Sequence, residues 1–307
     1  MNWYKVTLSL AGPTGTPWQA DTIFGHLCWV LRHRHGESAL QQFMEPFLRG
    51  QPSFLISDGF PSGLLPRPLS HTTPHHDTPQ ALREQREARK LAYLAEQDFL
   101  RALRGESFIP QPPKQDASLS SSRVTTKNQI SRLTGTTGQG GQLFSFIEYW
   151  TPRVTIYLRI RDGNDAQVRE LFQGLAQAGY GKRKSVGYGA ITSHTFEPFD
   201  GFPAPQGANA FVSLSPFVPA ATDPTEGRWR TMVKYGRLGE EFALDENPFK
   251  RPLLMLTAGS VFFDTPVREF YGRMVSGMSL VHPEVVQYGY ALPVPMRLPK
   301  ARGEAKP

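Results

Sequence analysis

Three consecutive segments decide the fold: Ala166-Gln-Val-Arg-Glu-Leu-Phe-Gln-Gly-Leu-Ala-Gln-Ala178, Gly179-Tyr-Gly-Lys-Arg-Lys-Ser-Val-Gly-Tyr-Gly189 and Ala190-Ile-Thr-Ser-His-Thr-Phe196. In the first, Val168, Leu171, Phe172 and Leu175 recur at helical spacing; the last reads as a strand. Between them Gly179, Gly181, Gly187 and Gly189 bracket the cations Lys182, Arg183 and Lys184, with Ser185 beside them. Glycine accepts positive φ and has no Cβ, so such a loop can press its backbone against a ligand. Lysine and arginine donate to phosphate oxygens. No acidic residue lies between Leu171 and Phe196, so nothing local in the sequence cancels the charge. The loop reads as a polyanion site; a solvated charged turn is the alternative.

Working outward, Trp3 to Leu10 alternates like a half-buried strand. Ile23, Phe24, Leu27, Cys28, Val30 and Leu31 predict a helix over Gln19 to His33. Phe54 to Ile56 predicts a short strand running into a Gly59–Gly63 turn. Leu82 to Leu103 carries mixed charge over an apolar line and predicts one helix, and Pro110 to Thr137 reads as loop. Val154 to Ile160 is the next strand. The order is strand, helix, strand, insertion, strand, helix, loop, strand. That is the ferredoxin-like βαββαβ unit, an α+β architecture with a four-stranded antiparallel sheet and helices on one face. RNA-recognition motifs share it, as do many unrelated functions.

This expected N-terminal domain spans residues 1–200, with a long insertion at about 66–145 and the glycine-rich loop near its end. Pro198 to Asn209, rich in proline and glycine, reads as a linker. A mainly β, ferredoxin-like C-terminal domain is expected over 201–307, with strands at Phe211–Ser215, Arg230–Tyr235, Leu253–Leu256 and Val285–Pro293 and a frayed tail from residue 299.

The 307 residues carry a formal net charge of +7, with a pI near 9.5, which favours nucleic acid or another anionic partner. A single cysteine, Cys28, excludes an internal disulfide and a cysteine-based metal site. No apolar run approaches the ~20 residues of a membrane span, and the N-terminus enters a strand pattern directly, so a cytoplasmic protein with no membrane partner is expected. Neither GxxxxGK[ST] nor GxGxxG fits the glycine loop, so no nucleotide cofactor is expected.

A second basic stretch, Ser120 to Arg132, lies in a region without Asp or Glu from Ala117 to Ile147. Arg123, Lys127 and Arg132 suit phosphates, while Ser122, Thr125 and Asn128 suit sugars and base edges. A plain flexible insertion is the alternative. His75-His76 lacks metal-ligand spacing, so no metal is expected there. His26, His33 and His35 are expected to face solvent, Asp21 to serve a helix start, and Cys28 to be a buried, inert thiol. No catalytic constellation stands out.

Several segments resemble one family in order and spacing. Asp21-Thr-Ile-Phe-Gly-His-Leu27, Phe54-Leu-Ile-Ser-Asp-Gly-Phe-Pro61 and the loop at 179–189 are similar to motifs of the CRISPR-associated RAMP superfamily. So are Arg123 to Arg132 with Gly141-Gln-Leu-Phe144, and Gly259-Ser-Val-Phe262 with Gly289-Tyr-Ala-Leu292. Together they resemble the subunit that caps the guide 5′ end in the type III Csm complex. His26 is a departure, since the family often has a small residue there.

The resemblance implies two ferredoxin-like domains and no nuclease activity. It implies a grip on the repeat-derived 5′ tag of the CRISPR RNA (crRNA), a large polymerase-like subunit as partner, and a backbone RAMP subunit as the other neighbour. Target RNA would be met only indirectly. Lys182, Arg183 and Lys184 would hold phosphates, with glycine amides adding close contacts. Arg123, Thr125, Lys127, Asn128 and Arg132 would position the strand. The alternative is a metal-independent endoribonuclease processing precursor RNA through His71, His75 or His76. In such enzymes the glycine loop is expected near the C-terminus, whereas roughly a third of this chain follows it. A target-cleaving backbone subunit using Asp21 ranks third.

Overall fold

The alternating Trp3–Leu10 segment becomes strand β1 (Asn2–Leu10) of a computed structural model that describes residues 1–69, 78–111, 121–128, 130–137 and 143–298. Helix α1 (Ala20–Leu48) follows and breaks at Gly36, whose φ of 84° no helix accommodates. The insertion starts after β2 (Phe54–Pro61). It holds β3 (Leu64–Pro66), α2 (Pro79–Lys90), β4 (Tyr93–Ala95), α3 (Glu96–Leu103), and the ribbon strands β5 (Ser121–Asn128) and β6 (Leu143–Trp150). Then come β7 (Arg153–Ile160), α4 (Asp165–Ala178) and β8 (Ile191–Pro198).

The first sheet runs β2-β7-β1-β8, every neighbour antiparallel. Numbered by their place in the βαββαβ unit, its strands stand 2-3-1-4, the ferredoxin-like order. Val6 pairs with Ile156 on one side and Phe196 on the other; Val6 and Leu8 join Ile23, Leu27, Val168, Leu171 and Phe172 in one buried core. On the odd-numbered face of β1 and β7, Trp3 and Tyr157 pack against Phe199 and Phe202, and Phe99 of α3 packs on Phe202. The expected linker is thus anchored: its two phenylalanines close the back of the sheet.

Three expectations are corrected. Residues 82–103 are not one helix, because Tyr93–Ala95 pairs with Leu64–Pro66 and buries Leu94 between two helices. Gly59 to Pro61 belong to β2 rather than a turn. A bulge between Ile56 and Gly59 carries them along, and a Cβ on Gly59 would lie 2.5 Å from Val154 Cγ1. Pro110–Thr137 is not all loop either, since Ser121–Asn128 forms a strand against Leu143–Trp150.

The second half contributes β9 (Ala210–Ser213), β10 (Gly227–Arg228), β11 (Thr231–Lys234), β12 (Leu253–Leu256), β13 (Val261–Phe263), β14 (Tyr271–Gly272), β15 (Tyr290–Ala291) and β16 (Pro293–Met296). Its main sheet runs β10-β13-β9-β16, all antiparallel. Counting these strands from β9 gives 2-3-1-4 once more. Among the described residues, this half contributes no α-helix of its own; one 3-10 turn, Glu240–Leu244, and the β11–β12 ribbon fill its connections. Val212, Leu214, Tyr288 and Val294 join the same core as Val6 and Leu27. The Tyr290 hydroxyl donates to Phe47 O at 2.6 Å.

Candidate nucleic-acid interface

The glycine-rich loop is built on one ring. Tyr180, fully buried, stacks on Trp18 with centroids 3.8 Å apart and planes 11° from parallel. Its hydroxyl donates to Pro17 O at 2.5 Å. Gly189 crosses directly over it: a Cβ there would lie 1.9 Å from Tyr180 O, and the φ of 65° suits glycine. Each glycine amide is used inside the chain. Gly179 N–H donates to Leu175 O, Gly181 N–H to His26 Nε2, Gly187 N–H to Lys184 O and Gly189 N–H to Pro13 O. These amides are held by acceptors within the chain, and the glycines shape the loop.

The three cations differ. Arg183 takes a left-handed backbone (φ 65°), and its guanidinium lies 4.8 Å from the Phe144 ring centroid and 4.4 Å from that of Phe146. Lys184 Nζ pairs with Glu240 Oε1 at 2.7 Å. Lys182 is exposed, its side chain without an ion-pair partner among the described residues, and its N–H donates to Thr16 Oγ1 at 3.2 Å. Ser185 is exposed on the 3-10 turn Lys184–Val186.

The β5–β6 ribbon stands against this loop. Strand alternation puts Arg123, Thr125 and Lys127 on one face, opposite Phe144, Phe146, Glu148 and Trp150, and leaves Ser122 and Asn128 on the other. Glu148 is the hub. It accepts from the Tyr188 hydroxyl at 2.5 Å and from Arg123 Nε at 2.9 Å, and Lys127 Nζ donates to the Tyr188 hydroxyl at 2.5 Å. The Tyr188 hydrogen bond, with Arg123 after it, holds the Glu148 carboxyl down at about 2. Thr14 and Tyr149 exchange backbone hydrogen bonds at 2.9 Å and tie the ribbon to the chain before α1.

The two basic stretches, about fifty residues apart in sequence, thus form one cluster, but not an uncompensated one. Glu148, one residue past the first acid-free window, neutralises Arg123, and Glu240, far beyond the second, neutralises Lys184. Arg132, exposed in the turn beyond β5, has no ion-pair partner among the described residues. Reasoning from sequence missed Glu148, Tyr188, Phe144, Phe146 and Glu240. The alternation of Phe144-Ser-Phe146-Ile-Glu148-Tyr-Trp150 was the available signal for most of them.

His26 is half-buried rather than solvent-facing. Its Nε2 is 3.0 Å from the Gly181 N–H, its ring lies 5.1 Å from Tyr180, and burial, reinforced by Lys184, lowers its pKa to about 4. Asp21 is committed to a buried ion pair with Lys234 Nζ at 2.8 Å and accepts from Gln287 Nε2 at 2.5 Å. Cys28 Sγ lies 3.7 Å from Met44 Sδ, and burial pushes its thiol up to about 12, which favours the protonated form. His71, His75, His76, Ser120, Gly141, Gln142 and the tail from residue 299 lie outside the described residues. Among the described residues, no three His, Cys, Asp or Glu side chains are grouped to hold a metal, and no helix is long and apolar enough to cross a membrane.

No protein-family model matches the chain, and no curated protein matches it. Solved structures do. A chain of a Csm1-Csm4 cassette in complex with pppApA is 22% identical, with TM-score 0.61, over 98% of this chain and 100% of that one. The same cassette in complex with cA4 gives 20% and 0.63 over 98% and 100%. A chain of a Csm3-Csm4 subcomplex of the type III-A CRISPR-Cas interference complex gives 12% and 0.63 over 97% and 100%. Csm4 is the component common to these assemblies, and the chain shares the fold of the chains it matches in them.

Proposed function

We propose that the chain is a non-catalytic, RNA-binding structural subunit of a type III CRISPR interference complex. It grips the repeat-derived 5′ tag of the crRNA on the surface shared by the loop at 179–189 and the β5–β6 ribbon. Through its two ferredoxin-like halves, 1–200 and 201–307, it docks a large polymerase-like subunit and a backbone RAMP subunit. The observation that carries this reading is the joining of two cationic, aromatic-lined segments on a fold that the Csm assemblies share. In it Lys182 and Arg132 are the cations left for phosphate, while Arg123, Lys127, Arg183 and Lys184 hold the surface in shape. Phe144 and Trp150 offer exposed ring surface on which a base can stack.

Binding of a labelled single-stranded RNA of tag length, measured against salt, tests this. Each phosphate contact adds about −0.7 to the log–log slope. Lys182→Glu and Arg132→Glu are each expected to weaken binding and flatten the slope by about that amount. Unchanged affinity and slope in both would remove the RNA assignment. Site-specific cleavage of a precursor RNA without metal would replace the non-catalytic reading with the endoribonuclease one.

A further inference from the structure

Lys182 sits between fixed points. Before it, Tyr180 is clamped on Trp18; after it, Arg183 lies on Phe144 and Phe146, and Lys184 on Glu240. Its own backbone is wedged against the segment before α1, for a Cβ on Gly15 would lie 3.1 Å from Lys182 O. The remaining freedom is at Gly181, whose φ of 79° belongs to the most permissive residue type. There the peptide plane before Gly181 is set by one hydrogen bond, from Gly181 N–H to His26 Nε2 at 3.0 Å, and the plane after it by Lys182 N–H to Thr16 Oγ1 at 3.2 Å.

We propose that His26 is the positioning residue of the RNA-binding loop: its imidazole Nε2 accepts the Gly181 N–H and thereby sets where Lys182 meets a phosphate. This deepens the RNA-binding reading above and rests on it. An imidazole that accepts at Nε2 carries its proton on Nδ1, so the ring must be neutral. The surroundings keep it so. Burial and the Lys184 ammonium oppose a second proton more strongly than Glu240 favours it. A protonated ring would set an N–H against the Gly181 N–H and push the loop off α1. The helix is rigid at this point, because Ile23 and Leu27 on either side of His26 are fully buried. The position of a surface lysine is thereby referred to the core of the first sheet.

The test uses the full chain and the same labelled single-stranded RNA. His26→Ala is expected to weaken binding about five-fold, the effect of one lost hydrogen bond, and to flatten the salt slope by up to about 0.7. It should also abolish hydrogen-exchange protection of the Gly181 amide. His26→Gln, which offers a carbonyl oxygen at similar reach, is expected to restore both. Lys182→Glu separates the two readings. Binding lost in Lys182→Glu but intact in His26→Ala overturns the role of His26 and leaves the RNA assignment standing. Intact binding in Lys182→Glu overturns the role of His26, and intact binding in Arg132→Glu as well removes the RNA assignment with it. A loss in both His26 variants that only follows a lowered melting temperature reduces His26 to a packing residue and overturns the proposal. Should His26→Ala fail to fold, His26→Gln decides alone: it must keep wild-type affinity together with the protected Gly181 amide, and losing either overturns the assignment.

Discussion

Glu240 holds a left-handed backbone, φ 50°, that residues with a Cβ seldom adopt, and its carboxylate covers Lys184. A phosphate reaching this loop must compete with that tethered carboxylate. Glu240→Gln removes the competing charge without changing size. RNA binding should tighten about five-fold, the upper range for a partly exposed pair, and the salt slope should steepen by about 0.7. If the slope does not move, Lys184 never meets the strand. Asp58 makes a different kind of prediction. Its carboxylate accepts from Ala20 N–H at 2.7 Å at the start of α1, and burial, with Asp21 nearby, pushes it up to about 8. The folded protein therefore binds this proton more tightly than the unfolded chain does. Stability from this group is full below about pH 4 and is lost as pH rises through about 8. Asp58→Asn keeps an acceptor for Ala20 and cannot ionise. Its melting temperature should exceed the wild type's at pH 9, and the gap should narrow steadily and close below about pH 4; a constant offset would refute the assignment.

The β5–β6 ribbon shows what could and could not be read at the level of elements. β1, β7, α4, β8 and the first half of α1, as far as His33, were legible because their apolar residues recur at the right spacing and lie in the same core. The ribbon was not. Ser121-Ser-Arg-Val-Thr-Thr-Lys-Asn128 has loop composition, and what makes it a strand is pairing with Leu143 to Trp150, across a span no local window covers. A lone two-stranded ribbon is marginal in water, so this one depends on what it leans on. Its supports are the Arg183 guanidinium on Phe144 and Phe146, the Tyr188–Glu148 bond and the Thr14–Tyr149 pair. The Glu148 support is conditional on pH. A carboxyl held at about 2 when folded and near 4.3 when unfolded stabilises fully above the unfolded value, and that stabilisation disappears as pH falls through about 2. Hydrogen exchange of β5 and β6 amides should therefore accelerate between pH 4 and 2 more than exchange in β1 and β7. Tyr188→Phe should move that acceleration to higher pH. Equal responses of ribbon and sheet would show that Glu148 does not hold the ribbon.

At the scale of the molecule, the second sheet was harder to foresee than the first, because its 2-3-1-4 order carries none of the helices that announce a βαββαβ unit. What joins the halves was also hidden, since it depends on residues more than two hundred positions apart. Asp21 opens α1, yet Lys234 of β11 places its Nζ within hydrogen-bond distance of Asp21, Gln19 and Thr22, and Gln287 reaches Asp21 from beyond β14. The Asp21 side chain is 2% exposed and that of Lys234 14%. Burying the pair costs both ions their hydration, so its net contribution is small, but removing one ion strands the other. Lys234→Met should cost about 3–5 kcal/mol in denaturant unfolding, through an unpaired Asp21 carboxylate. Asp21→Asn should cost less, because the amide oxygen still accepts from Lys234. The double variant Asp21→Asn, Lys234→Met should be more stable than Lys234→Met alone, for it leaves no buried charge behind. Because the core is shared, each variant should unfold in a single transition. Additive losses in the double variant, or separate transitions for the two halves, would show that this ion pair does not couple them.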